Sequence, residues 1–202
     1  MKNSFDKKVF TAGLLFEDIR YFLVNIPLMF RSFHDKKISK AFREKIMTVT
    51  SAVNGCSYCS WFHANQALSG GISEAEIRDM LDLQFSSNAS EFEAMSLIYA
   101  QHYAETNRNP ETGMTQKLTE YYGSRTARHI LFFIRMISFG NLFGNTWDSV
   151  ISRFKGKPAE TGSIIFEIVF FIASFWFMTP IMILSKRSLN KNYNILKQTY
   201  LM

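Results

Sequence analysis

The stretch VNGCSYCSWFHANQALSGG, Val53 to Gly71, holds both cysteines of the 202-residue chain and one of its four histidines. Its residue types admit three kinds of role. Cys56, Cys59 and His63 are metal-ligand types, but a structural zinc site needs a fourth ligand and the chain has no second cysteine pair. Cysteine is also a common small core residue, so the pair could be buried and inert. The third role is a working dithiol. Helix starting near Cys56 puts Cys56 and Cys59 at i and i+3 on one face, with His63 one turn beyond Cys59. Thiolates rather than thiols react, and both a helix N-terminus and a neighbouring imidazole favour the thiolate. The helix terminus acts on Cys56, and His63 sits beside Cys59. As a staple the pair is poor, because a bridge across two residues closes almost no loop entropy. That favours a functional dithiol in a reducing compartment, on the cytoplasmic side.

The elements that position these residues read as helices throughout, and the fold class is all-α. In KISKAFREKIMTVTSAV the apolar residues Ile38, Phe42, Ile46, Val49 and Val53 form one helical seam. Asn54-Gly55 breaks it, and Gly70-Gly71 ends the dithiol helix. Ser73 with Glu76 is a capping-box signature for SEAEIRDMLDL. Asn88 with Glu91 repeats it ahead of a helix whose predicted inner face is Phe92, Met95, Ile98, Tyr99 and His102. NRNPETG is a loop around Pro110, and a helix rich in Phe and Ile runs from about Ser124 to Gly140. No alternating run argues for a sheet.

With 47% hydrophobic residues and 20 phenylalanines, the chain has more apolar surface than one monomer ordinarily buries. An oligomer or a membrane contact is therefore expected. The formal charge of +6 is spread along the chain and interrupted by acids, which argues against nucleic acid. The amino terminus shows no signal-peptide pattern. One segment stands apart: SIIFEIVFFIASFWFMTPIMIL, Ser163 to Leu184, has one charge, Glu167, and Lys and Arg on both flanks. It is long enough to cross a bilayer, about 30 Å. Against spanning, Trp176 lies mid-run and Glu167 is costly unless paired. The competing expectation buries the segment in an oligomer interface. The domain division is a helical dithiol domain over 1–160 and a hydrophobic helix with a basic tail over 161–202.

The stretch REKIMTVTSAVNGCSYCSWFHANQALSGGISEAEI resembles the signature of the carboxymuconolactone decarboxylase superfamily, in its alkylhydroperoxidase D-like branch. The branch carries a Glu twelve residues before a Cys-x-x-Cys-x-x-x-His, a turn before the first Cys, and a capped helix after. Glu44, Cys56, Cys59 and His63 all match. NIPLMFRSF and GNTWDSVISRFKGKP extend the likeness more loosely. The resemblance implies an alkylhydroperoxidase D-like helical bundle, a homo-oligomer (a trimer or multiple), and thiol-dependent hydroperoxidase or disulfide oxidoreductase activity. It implies no bound cofactor, with reducing equivalents from a lipoyl or thioredoxin-like dithiol. The decarboxylase members lack the paired cysteines. Cys59 is then the attacking thiolate, His63 its base, Glu44 the group that orients His63, and Cys56 the resolving thiol. Tyr58 departs from the peroxidase type, which has a histidine there; a neutral phenol does not relay protons as an imidazole does. The rival reading is a redox-inactive or zinc-holding, membrane-attached binding module.

Overall fold

The computed structural model describes residues 5, 7–84, 90–159, 162–176 and 178–180. Helices follow one another in the order α1 (Ala12–Val24), α2 (Ile26–Phe33), α3 (Lys40–Val53), α4 (Ser57–Ser69), α5 (Glu74–Leu81), α6 (Glu91–Glu105) and α7 (Thr112–Phe154). A further helix runs over 164–176. Among the described residues there is no β-strand, only an isolated bridge between Phe5 and Ala159 that ties the amino-terminal segment to the stretch after α7.

Helix α3 is the hub, packing against α4, α5, α6 and α7. Its Ser39 cap accepts a hydrogen bond from the Phe42 amide at 3.0 Å, satisfying one orphan donor of the first turn. The seam read from the sequence is buried at Ile38, Phe42, Ile46 and Val49, and half-buried at Val53. The other faces are buried too, from Glu44 through Ser51. Their polar atoms stay satisfied because Thr48 and Thr50 donate to carbonyls one turn back, both at 2.8 Å.

Two local expectations shift. The N-cap of α6 is Ser90; Asn88 lies outside the described residues. The inner face of α6 is Ser96, Leu97, Tyr99, Ala100, Tyr103 and Ala104, while Phe92 and Ile98 are exposed. Helix α7 is broken at Gly123 (φ 76°, ψ 152°), so its second run starts at about Ser124, as expected, and continues beyond Gly140 to Phe154.

No helix among the described residues is long and apolar enough to cross a membrane. The 163–184 segment is helical over 164–176 and again at 178–180, and 177 and 181–184 lie outside the described residues. That helix docks lengthwise on the domain. Phe170 lies 4.5 Å from Phe143 between ring centroids, and Phe171 stacks on Trp147 at 4.0 Å. Glu167 is wholly buried and takes both Nε (2.6 Å) and Nη2 (3.0 Å) of Arg153. This two-pronged hydrogen bond from Glu167, chiefly, holds the Arg153 guanidinium above its ordinary pKa.

Removing one partner of such a pair leaves a buried charge uncompensated, at about 3–5 kcal/mol. Arg153→Ala, which strands the buried Glu167 carboxylate, is therefore expected to undock the 164–176 helix. Limited proteolysis near residue 160 should accelerate by at least tenfold, with the α3–α7 core still giving a cooperative thermal transition.

Candidate active site

Asn54 and Gly55 make the turn between α3 and α4, with Gly55 at φ 69°, a conformation that side chains with a Cβ rarely adopt. The turn delivers Cys56 as the N-cap of α4 and Cys59 inside its first turn. The two sulfurs lie at disulfide distance, with Cα atoms 5.3 Å apart. Cys59 is the more exposed of the two, at 8% against 3%.

Glu44 on α3 reaches across to α4, its Oε2 2.6 Å from His63 Nδ1. A carboxylate can only accept, so Nδ1 carries the proton of this bond and Nε2 is the ring nitrogen left for other chemistry. His63 is one helical turn beyond Cys59, as the i, i+4 spacing requires. Glu44 is 6% exposed, so the carboxylate works in a partly desolvated setting where its hydrogen bond to His63 is strengthened.

The neighbours of Glu44 in the REK run are also engaged. Arg43 lies over the rings of Phe33 (4.8 Å) and Phe133 (5.5 Å). Lys45 is buried and binds Glu76 of α5 at 2.5 Å and Glu93 of α6 at 2.7 Å. Burial alone would lower the Lys45 pKa; hydrogen bonds and charge from the two glutamates outweigh it and raise it. Three consecutive charged residues of α3 thus join it to α2, α4, α5, α6 and α7.

A second set of residues, which the sequence reading missed, closes the site from α7. In GNLFGN the glycines Gly140 and Gly144 and the asparagines Asn141 and Asn145 repeat at i, i+4. The Gly140 carbonyl oxygen is 3.9 Å from Cys59 Sγ. A Cβ on Gly144 would meet Cys56 Sγ at 3.4 Å, ordinary van der Waals contact, so this position faces the Cys56 sulfur with room for little more than a methyl group. Asn54 Nδ2 donates to Asn141 Oδ1 at 3.1 Å, and Asn141 Nδ2 donates to Ser51 Oγ at 2.9 Å. Asn145 Nδ2 donates to the Asn54 carbonyl at 2.9 Å and to the Lys8 carbonyl at 3.0 Å. The turn that presents Cys56 is held from both ends. The one available signal was the doubled Gly-Asn pair on a helix that is otherwise rich in phenylalanine.

Tyr58, between the cysteines, is half-buried, and burial pushes its phenol above the ordinary value, so it is neutral at physiological pH. His129, left unassigned from the sequence, pairs through Nδ1 with Asp35 at 2.6 Å, away from the thiols in the chain order of helices. Among the described residues, no group of three His, Cys, Asp or Glu side chains could hold a metal ion.

The sequence model of the Carboxymuconolactone decarboxylase family matches residues 24–100. The matched stretch runs from the end of α1 into α6 and contains Glu44, Cys56, Cys59 and His63. No curated protein matches the chain.

Two substitutions test the α7 contribution. Asn141→Ala leaves Asn54 and Ser51 short of a buried partner and should cost about 1–3 kcal/mol in denaturant unfolding. Gly144→Val places a branched side chain against Cys56 Sγ and should slow disulfide formation in the reduced protein, read by thiol titration after an oxidant pulse.

Proposed function

We propose that the chain is a thiol-dependent hydroperoxidase or disulfide oxidoreductase of the alkylhydroperoxidase D-like kind. The observation that carries the reading is the buried Glu44–His63 hydrogen bond, 2.6 Å long, one turn from a cysteine pair at bonding distance. The match to the carboxymuconolactone decarboxylase family, which includes alkylhydroperoxidase-like members, supports it.

In the reduced enzyme, Nε2 of His63 takes the proton of Cys59. The Cys59 thiolate attacks one oxygen of the hydroperoxide and the O–O bond breaks. The displaced alkoxide takes a proton and leaves as the alcohol, and Cys59 becomes a sulfenic acid. The Cys56 sulfur then attacks Cys59 Sγ, expelling water and forming the disulfide. Two thiols have lost two electrons, and the peroxide has become an alcohol and water. An external dithiol of lipoyl or thioredoxin-like type restores both thiols by exchange. Cys59 is the attacking sulfur because His63 lies beside it and because it is the more exposed. Cys56, against Gly144, is placed to resolve. Glu44 is a positioning residue: it fixes the tautomer of His63 and stabilises the imidazolium that forms. Such chemistry needs a reducing compartment, so the dithiol domain belongs on the cytoplasmic side, as a homo-oligomer. Among the described residues the zinc-holding alternative has no cluster of ligands to support it.

Reduced wild-type protein given one equivalent of a hydroperoxide should lose two thiols per chain, with no metal bound. Cys56→Ser should stop at a sulfenic acid on Cys59, trapped by dimedone and located by mass spectrometry. Sulfenic acid confined to Cys56 in the converse variant, with Cys59 inert, would reverse the roles; no thiol loss at all would reject the reading.

A second test addresses activation. His63→Gln keeps a hydrogen-bonding group facing Glu44 but removes the base, and Glu44→Gln keeps the shape but removes the charge. Each is expected to slow alkylation of Cys59 at neutral pH by roughly tenfold, with Glu44→Asp recovering part of the rate. Equal alkylation rates in all four proteins would leave His63 a packing residue.

A further inference from the structure

The helix over 164–176 is inverted relative to an ordinary surface helix. Its inward arc carries Phe166, Glu167, Phe170, Phe171 and Ser174, which includes its one carboxylate. Its outward arc carries Ile165, Ile168, Val169, Ile172, Phe175 and Trp176, all exposed, with Ile165 at 74% and Trp176 at 77%. A helix facing water would place these two sets the other way round. The outward face is flanked by cations. Phe154, Lys155 and Lys157 are exposed on the segment leading into it. Beyond it, the sequence from 181 to 202 holds Lys186, Arg187, Lys191 and Lys197 and no acidic residue.

We propose that this face seats the protein in the plane of an anionic lipid bilayer, as an interfacial helix rather than a spanning one. Apolar side chains flanked by Lys and Arg, with a Trp among them, match the boundary between acyl chains and negatively charged headgroups. Spanning is opposed by the lengthwise docking and by the buried Arg153–Glu167 pair, which a lipid-surrounded helix would have to break. A second copy of the chain fits the face less well. Two such helices pairing by a two-fold axis, parallel or antiparallel, bring the same basic flanks together. The inference rests on no part of the peroxide reading.

The test uses the full chain and vesicles of phosphatidylcholine with or without about one-third phosphatidylglycerol. Co-sedimentation with the anionic vesicles should be at least tenfold stronger than with phosphatidylcholine alone, and should weaken in 0.5 M salt. The variant I165Q/V169Q/I172Q changes only exposed positions and should reduce binding by tenfold or more, with an unchanged thermal transition. Trypsin added outside the vesicles should still cut at Lys186 and Arg187 on bound protein. Protection of that tail until the vesicles are lysed would mean spanning and would overturn the proposal. So would failure to bind vesicles, whether the triple variant dissociates a soluble oligomer, which assigns the face to a second copy, or leaves the assembly unchanged.

Discussion

Helix α3 is buried on every side, and two consecutive charged residues, Glu44 and Lys45, go inside with it. Isolated, either charge would cost several kcal/mol to desolvate. Each has partners on different neighbours: α4 brings His63 to Glu44, which Arg43 of α3 itself also approaches at 4.0 Å, while α5 and α6 bring Glu76 and Glu93 to Lys45. An apolar hub would tolerate several dockings of these helices. A hub with charges tolerates few, because a helix slipped by one turn leaves a charge in the core without its partner. The same requirement that fixes the bundle also fixes the imidazole beside Cys59, so the proposed site is built from the constraint that specifies the fold.

The dithiol lies in the apolar core and also against α7, where the Gly140 carbonyl faces Cys59 and Gly144 faces Cys56. Asn141 and Asn145 use the adjacent positions to grip the Asn54-Gly55 turn. Any change in sulfur–sulfur separation between oxidation states must be absorbed in this contact. The asparagine bonds hold the turn in place while Cys59, inside α4, has its first-turn backbone fixed by helix hydrogen bonds such as that from the Ser60 amide to the Cys56 carbonyl. Movement on reduction is thereby directed to the sulfur side chains.

At the other end of the chain the ordering of polar and apolar faces is reversed. Glu167 is drawn inward by Arg153, and the apolar residues left outside are too many for water to accept cheaply: at about 25 cal/mol per Å², each large side chain left exposed forgoes 1.5–3 kcal/mol. That imbalance is what an interface with lipid would relieve.

The Cys56, Cys59 and His63 relationship was legible in the sequence because it is local: three positions within two turns of one helix have no freedom to be elsewhere. Glu44 was legible only through its spacing in a family signature, and its contact with His63 needed two helices to dock. Helix existence, the Ile38–Val49 seam and the Ser73 cap likewise follow from short-range periodicity and backbone hydrogen bonding. The sequence did not disclose the burial of Lys45, the inner face of α6 or the grip of α7 on the thiol turn. Their partners lie about 30 to 90 residues away, and glycine, asparagine or alanine on a helix carries no local mark of what it will touch. Hydropathy summed along 163–184 measured how apolar the segment is in all directions at once. Which side would face the protein was decided by one ion pair, Glu167 with Arg153, that forms only when the helix folds back onto α7.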